Sequence, residues 1–474
     1  MKFSWLFFST AIALVLLPQL ALACAVAIEE NSTGTGWNYA MPTRAQGFIS
    51  YENGTERLVM SHELDATGGG GVAIITPIPG GPTDIKLDIL SDLPQLKGQN
   101  ISTTASAVVP AVAELVSMSQ LWTGAPWFIS GFNVGSSVQD TSGINVGSTA
   151  PGRGSFGATN AGIPDVRVFN QLDKNGMSSE VVTARTSKGL YDFLKAKGLT
   201  VPDGSIDVLN YYIGRNYSFV VSWVNATAAQ SFDCQQNQAP VGFGSYAPHS
   251  SSSCAKGIFV SFPTKDLYYP LIPTSAYSDM SHSETIRVIG HVSPKLYSSI
   301  SNYSTVSYFE DANYSSRASD TDAQKIVHPM AGDIVKYTDI TIDAPAKLYT
   351  EDLTIRNYPP INAIYAGTIA GNPIIFGILL LVIASILASV LCGLLFYTED
   401  RSKQGVFKFA KLGLFNSLTF IGLIVASRKM LRPEGDGVSS VRMHVKRRWK
   451  YLFLFTIMFT VITWLIAWLV IATV

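Results

Sequence analysis

The longest apolar stretches of the chain lie in its last hundred residues. Two runs without charged residues, 374–397 and 451–474, have 24 residues each. A helix rises about 1.5 Å per residue, and roughly 20 residues cross the hydrocarbon core of a bilayer. We therefore predict a transmembrane helix over each run.

A shorter apolar stretch, 412–427, lies between these two runs. Its 16 residues would reach only about 24 Å as a helix. The surrounding segment 398–450 carries twelve Lys and Arg against four Asp and Glu, and such basic segments remain cytoplasmic. A crossing by 412–427 would export the eight basic residues that follow it. We expect a re-entrant or interfacial helix within a cytoplasmic segment, with three full crossings as the alternative.

Alternating apolar and polar positions predict β-structure in the larger part of the chain, which precedes these helices. In the segment 48–64, two alternating runs meet at Asn53-Gly54, a dipeptide typical of a tight hairpin turn. The run Val72–Ile75 predicts a buried strand, followed by a corner at Pro77, Pro79 and Pro82 and a half-exposed strand around Ile85–Ile89.

Two short helices and several further strands are predicted after residue 185. Ser187 is placed to cap a helix that stops at Gly198, and Ser205 a second that stops at Gly214. Strand patterns follow at 218–224, 257–262, 285–292, 334–342 and 348–355. The fold class predicted is a mainly β (α+β) ectodomain with a short helix pair, followed by C-terminal transmembrane helices.

Glycine and serine dominate the region from about 122 to 161. Such a composition buries too little apolar surface to offset the entropy of ordering, so we predict a flexible insert. Its match to G-x-G-x-x-G at Gly152, Gly154 and Gly157 lacks the flanking strand and helix of a dinucleotide site. No cofactor is predicted.

The N-terminus has the layout of a signal peptide over residues 1–23. Lys2 precedes an apolar run, and Ala21-Leu22-Ala23 provides a cleavage site. The mature ectodomain is then expected to extend from Cys24 to about residue 360. Lipidation of Cys24 is an alternative, although Ala21 stands where a lipobox usually has Leu.

Cysteines and glycosylation motifs agree with export. A disulfide between Cys234 and Cys254 is the natural pairing and would stabilise the fold by roughly 3 kcal/mol. Seven Asn-x-Ser/Thr sequons lie between the signal peptide and the first predicted span, and each is a candidate N-glycosylation site: Asn31, Asn53, Asn100, Asn216, Asn225, Asn302 and Asn313.

The charges and the histidines give no support for a catalytic or nucleic-acid-binding site. Outside 398–450 the chain has 22 basic and 30 acidic residues, which argues against nucleic acid as a partner. None of the histidines forms a metal-binding motif, and we expect surface or strand-edge positions for all of them, with an approach of His282 to His291 across a turn as the alternative. They are His62, His249, His282, His291, His328 and His444. No catalytic or metal-binding residue is predicted.

Three longer strings carry a family resemblance. They are GLYDFLKAKGLTVPDGSIDVLNYYIGRNYSFVVSWV, IFVSFPTKDLYYPLIPTSAY and VKYTDITIDAPAKLYTEDLTI. Over about residues 45–356 the chain resembles an uncharacterised family of exported, membrane-associated prokaryotic proteins, classed as a domain of unknown function. The resemblance implies a hairpin, a proline-rich corner and a helix pair in that order. It implies no activity and no functional residues.

We therefore expect a membrane-anchored, non-enzymatic cell-surface protein whose ectodomain is extracellular. Its partners would be the lipid bilayer and a protein in the membrane or envelope. The alternative is an accessory subunit that docks through its transmembrane region, where Ser385, Ser389 and Gly393 form a small-residue face. A secreted-side hydrolase is a third hypothesis, and it requires a buried histidine or paired carboxylates in a pocket.

Overall fold

The computed structural model describes residues 25–30, 37–39, 42–64, 72–91, 93–122, 165–174, 176–224, 257–277, 280–317, 322–327, 333–396 and 438–473. Several predicted features lie outside these ranges: the signal peptide, Cys24, Cys234, Cys254, Asn31, Asn225, the insert beyond Trp122 and the stretch 412–427. What the sequence predicts for them stays a prediction.

Strands dominate the described residues, which confirms the prediction of a mainly β fold. In chain order the strands are β1 (Val26–Glu30), β2 (Trp37–Tyr39), β3 (Pro42–Glu52), β4 (Thr55–Leu64), β5 (Val72–Pro79), β6 (Lys86–Leu90), β7 (Gln99–Asn100), β8 (Val166–Lys174), β9 (Met177–Ala184), β10 (Tyr217–Val224), β11 (Gly257–Pro263), β12 (Leu267–Tyr269), β13 (Ser281–Ile289), β14 (Ser293–Lys295), β15 (Ser304–Asp311), β16 (Val335–Pro345) and β17 (Leu353–Arg356).

Helices connect some of these strands and follow the last of them. The α-helices in the described residues are α1 (Ile101–Trp122), α2 (Ser187–Ala196), α3 (Asp203–Asn210), α4 (Ser298–Ser301), α5 (Tyr314–Arg317), α6 (Ile361–Gly371), α7 (Pro373–Phe396) and α8 (Val438–Thr473). Short 3-10 helices cover Ile272–Tyr277, Ala323–Lys325 and Ala346–Leu348.

The chain divides into two compact units. The first, which we call the β unit, comprises residues 1–100 and 161–360, and the second, the helical unit, comprises residues 101–160 and 361–474. Among their described residues, the β unit contains every strand, and the helical unit contains α1, α6, α7 and α8. A long apolar helix therefore interrupts the β unit between β7 and β8, and the sequence analysis did not predict it.

Two large sheets pack face to face in the β unit. One has the order β2-β1-β5-β10-β9-β8, and the other has the order β6-β11-β4-β3-β13-β16-β15-β7. The described strand pairs are antiparallel except β3 with β13. The core between the sheets includes Ile74, Val220, Met60 and Ile286. Because the outer face of the six-stranded sheet is also apolar, α2 and α3 cover it with Leu190 and other side chains.

The predicted hairpin is confirmed. The strands β3 and β4 pair up to Glu52 and Thr55, and they leave Asn53 and Gly54 as the turn. Both turn residues have positive φ, 52° and 79°. Asparagine and glycine tolerate this conformation best, which explains why this dipeptide fixes the register.

The predicted corner is confirmed at Pro82, which lies in a turn, but it is wrong for Pro77 and Pro79, because β5 continues through both prolines. They face Phe219 and Tyr217 of β10. On its other side β5 pairs with β1 only over Val72–Ile75. A proline has no N–H to donate, and it is tolerated in a strand where one edge has no partner.

The helix caps also differ from those predicted. The first helix is capped by Thr186 and not by Ser187, since the Thr186 hydroxyl accepts a hydrogen bond from the N–H of Gly189 at 3.0 Å. Ser205 lies inside the second helix, where its hydroxyl donates to the Tyr39 hydroxyl at 3.0 Å. The predicted stops are confirmed by positive φ angles at Gly198 and Gly214.

Replacement of Gly47 by alanine is expected to destabilise the β unit by about 1–3 kcal/mol. A Cβ at this position would overlap the ring of Tyr269, with Cζ only 2.9 Å away. That ring is completely buried, so it has no space to move into. Thermal unfolding of the purified full-length protein measures the effect. Gly81→Ala is the matched control, because its Cβ would approach only the exposed carboxylate of Asp84. Equal melting temperatures for the two variants would contradict the expectation.

Candidate functional site

The helical unit is the first candidate functional region, and α1 is its least expected element. Its buried positions recur along one face at Ile101, Ala105, Val109, Ala113 and Val116. Spacings of three and four residues place them on one side of a helix. The helix continues through Pro110, a residue that apolar membrane helices tolerate. One feature of the sequence could have predicted this helix: Glu114 is the only charged residue between Lys97 and Asp140.

Large apolar side chains project outward from α7 and α8. Ile374 is 78% exposed and Trp468 is 65% exposed, although both are strongly hydrophobic. Exposed apolar areas of this extent mark a surface that contacts lipid or another protein. The other outward side chains of this kind include Ile375, Ile378, Leu379, Ile383 and Leu387 on α7, and Val461, Trp464, Leu465 and Leu469 on α8.

Several small side chains are buried on the inner faces of the same helices, beside larger ones such as Leu380 and Phe459. Ala384 and Ala388 of α7 and Ala467 of α8 have no exposed surface. Ser385 is also fully buried, and its hydroxyl donates to the Leu381 carbonyl at 2.6 Å. Small residues let helix backbones approach closely in a bilayer. Of the predicted small-residue docking face, Ser385 thus faces its own chain, while the surroundings of Ser389 and Gly393 lie outside the described part.

Two helices are long and apolar enough to cross a membrane among the residues described, over Ile101–Ser119 and Leu454–Thr473. The helices α6 and α7 meet at a sharp bend and supply a third span if the pair is counted as one. The predicted spans 374–397 and 451–474 coincide with α7 and with the end of α8. These helices are consistent with association of the chain with a membrane.

A second candidate region lies in the β unit, where buried carboxyls hold the segment 267–272. Asp352, just before β17, accepts hydrogen bonds from the N–H groups of Leu271 at 2.9 Å and Ile272 at 3.0 Å. The hydroxyls of Tyr212 and Tyr268 donate to the same carboxyl at 2.8 Å and 3.0 Å. Burial raises the pKa of Asp352, although these hydrogen bonds act in the opposite direction.

Two glutamates complete this cluster. Glu56 of β4 and Glu284 of β13 have no exposed surface. Glu56 Oε2 accepts the N–H of Tyr268 at 2.8 Å, and Glu284 receives longer hydrogen bonds from Thr274 Oγ1 at 3.3 Å and the Tyr269 hydroxyl at 3.4 Å. Burial raises the pKa of both carboxyls well above the usual range. We call Asp352, Glu56 and Glu284 the carboxyl cluster.

The carboxyl cluster binds groups of its own chain. Glu56 and Glu284 are sealed from solvent, and the donors of Asp352 are backbone and tyrosine groups of the β unit. The carboxyls hold the segment 267–272 in place, since each buried donor needs an acceptor. A shallow apolar depression lies elsewhere, between α2 and α3, and is lined by residues that include Leu190, Leu194 and Ile213.

The predicted surface positions of the histidines are wrong for His282. This residue is fully buried in β13, and its ring packs on Tyr277 with ring centroids 4.8 Å apart. His291 lies beyond the other end of β13, which is roughly 23 Å of strand away. The two histidines therefore do not meet. Among the described residues, no group of three or more His, Cys, Asp and Glu is arranged to hold a metal ion.

The described sequons differ in their exposure. Asn100 is half-buried, pairs with Phe309 and directly precedes α1. We expect glycan occupancy at the exposed sites and little at Asn100, because an oligosaccharyltransferase needs an accessible asparagine. Glycopeptide mass spectrometry of protein from native membranes tests this, with asparagine-to-glutamine variants as controls. High occupancy at Asn100 would count against it. The exposed sites are Asn53, Asn216, Asn302 and Asn313.

No family model, curated protein or solved structure matches the chain. The resemblance to an exported family of unknown function stays a prediction. Functional inference therefore rests on the helical unit and on the carboxyl cluster.

Proposed function

We propose that this protein is a membrane-anchored, non-enzymatic cell-surface protein. The helical unit holds the chain in the bilayer, and the β unit lies on the extracellular side. There it contacts envelope components or a partner protein. The signal peptide predicted at the N-terminus and the seven sequons support the extracellular orientation.

The observation that carries this proposal is the division of side chains within the helical unit. Outward positions of α7 and α8 are large and apolar, whereas inward positions are buried and include small residues such as Ala384, Ala388 and Ala467 beside Phe459. Exposure of such an apolar surface to water is unfavourable, whereas its contact with lipid hydrocarbon is not. The carboxyl cluster has a structural role, because its hydrogen-bond donors belong to the chain itself.

An accessory subunit of a membrane complex is the second candidate function. The observation that favours it is Glu114, which is exposed next to Leu115, itself 69% exposed, in the apolar helix α1. A carboxylate is costly inside a membrane and is usually paired there. A basic or hydrogen-bonding group on a neighbouring transmembrane helix would supply the partner.

Surface labelling of intact cells tests the first candidate. Lys188 on α2 has a side chain that is 83% exposed, so an amine reagent that cannot cross membranes should label it if the β unit is outside. Lysines of the segment 398–450 should react only after permeabilisation. Labelling of Lys188 only in permeabilised cells would refute the proposed orientation.

Purification from native membranes in mild detergent, followed by crosslinking and mass spectrometry, separates the two candidates. A stoichiometric partner crosslinked through the helical unit, and lost in the variant Glu114→Gln, would establish the accessory subunit. Glu114→Asp is the matched control, since it keeps the charge and should retain the partner. Crosslinks confined to the β unit would support the cell-surface protein.

A further inference from the structure

The helices α6 and α7 are joined by a bend at Gly371-Asn372-Pro373. Proline disfavours a helical conformation in the residue before it, so α6 cannot continue smoothly into α7. The N–H of Asn372 still donates to the Thr368 carbonyl at 3.0 Å, and the carbonyl of Asn372 accepts from the N–H of Phe376 at 3.2 Å. The backbone of Asn372 is thus hydrogen-bonded to both helices. The axes of the two helices differ by 103°.

The two faces of α6 have different surroundings. Ala363, Ala366 and Ile369 are buried, and the helix packs on α1. On the opposite face Ile361 is 65% exposed, and Ile364 and Tyr365 are about half exposed. These positions form a continuous stripe along the helix. Since 357–398 contains no charged residue, no charge along this stripe favours contact with bulk water.

The exposed face of α6 is better suited to contact with lipid than with water. The 24 residues of α7 reach about 36 Å, which is enough to cross the hydrocarbon core without α6. A bend of 103° then turns α6 nearly parallel to the membrane plane. Tyrosine is enriched at that interface. The exposed Thr368 hydroxyl donates to the Ile364 carbonyl at 2.7 Å, so it can enter an apolar environment while hydrogen-bonded.

We propose that α6 is an interfacial helix whose Ile361, Ile364 and Tyr365 side chains insert into the lipid beside the point where α7 enters the bilayer. Helices of this kind immerse their apolar face by about 5–10 Å. The proposal rests on the proposed membrane anchoring and adds a second mode of attachment, along the membrane surface. It would hold the start of α7 at a fixed depth.

Spin-label accessibility measures the depth of each position. A spin-labelled amino acid is incorporated at one site at a time in the full-length protein, which is reconstituted into phosphatidylcholine and phosphatidylglycerol vesicles. Labels at 361, 364, 365 and 368 should be reached by oxygen and lie at one shallow depth. Labels at 378 and 383 on α7 should lie progressively deeper, by about 1.5 Å per residue. A label at the buried position 366 should be protected from both oxygen and a water-soluble nickel complex.

Other results would contradict the interfacial helix or the membrane anchoring. Access of the nickel complex to 361, 364 and 365, with 378 and 383 in lipid, would overturn the interfacial helix and leave the membrane anchoring intact. A depth that increases steadily from 361 to 368 would show one broken span and also overturn it. Protection of the stripe from both reagents would also overturn it, because protein, such as a second copy, would then cover the stripe in place of lipid. Water access at 378 and 383 would refute the anchoring itself.

Discussion

Replacement of Asp352 by alanine is expected to destabilise the β unit by about 3–5 kcal/mol. The carboxyl accepts hydrogen bonds from two backbone N–H groups and two tyrosine hydroxyls. Alanine would leave these donors without their acceptor, and each unsatisfied buried group costs about 1–3 kcal/mol. The loss is partly offset because a buried carboxyl no longer has to be desolvated.

Two measurements on the purified full-length protein test this expectation. The melting temperature should fall by about 10 °C, and the amides of Leu271 and Ile272 should exchange with deuterium faster. The variant Asp352→Asn should lose less stability, since it keeps one oxygen acceptor. Asp343→Ala, which removes an exposed carboxylate of β16, is the control. An unchanged melting temperature together with unchanged exchange at 271 and 272 would show that the carboxyl does not hold this segment.

Replacement of Glu56 and Glu284 by glutamine is expected to stabilise the protein at alkaline pH. Burial raises the pKa of both carboxyls well above the usual value of 4.5. Between the unfolded and folded pKa values, the folded state keeps a proton that the unfolded state has lost. The free energy of unfolding therefore falls as pH rises through this window. Glutamine does not titrate, so the doubly substituted protein avoids the loss.

The size of this effect follows from the pKa shift. Each pKa unit corresponds to about 1.4 kcal/mol per carboxyl. Near pH 4.5 the wild type and the double variant should melt at similar temperatures, and the difference should grow towards pH 9. Glu351→Gln, at an exposed position, should follow the wild type. Parallel melting curves for the wild type and the double variant across this range would mean that the buried glutamates do not titrate as proposed.

Local patterns were sufficient for several elements. Asn53-Gly54 predicted its hairpin because a two-residue turn with positive φ angles needs those residue types. The apolar run 374–397 predicted α7 because length and lack of charge are properties of the segment alone. Pro77 does not form the predicted corner. A proline is tolerated within β5 at this point because β1, which lies far away in sequence, pairs with β5 only up to Ile75.

The carboxyl cluster could not be predicted by the same means. Glu56, Glu284 and Asp352 are separated by long stretches of chain. Glu56 and Asp352 stand in predicted strands and Glu284 directly precedes one, where a polar side chain is expected to be exposed. His282 was placed at the surface for the same reason, although it is buried. A polar residue is buried only where distant donors and rings meet it, and sequence spacing does not contain that information.

The sequence by itself determined the mainly β class, the hairpin, the stops of the helix pair and the apolar helices at the C-terminal end. These depend on periodicity, turn chemistry and segment length, which act over a few residues. Only the tertiary structure decided that α1 belongs with α6, α7 and α8, and that three carboxyls meet at 267–272. Such features arise from contacts between residues far apart in the chain, whose energies depend on burial and on partners that the fold alone supplies.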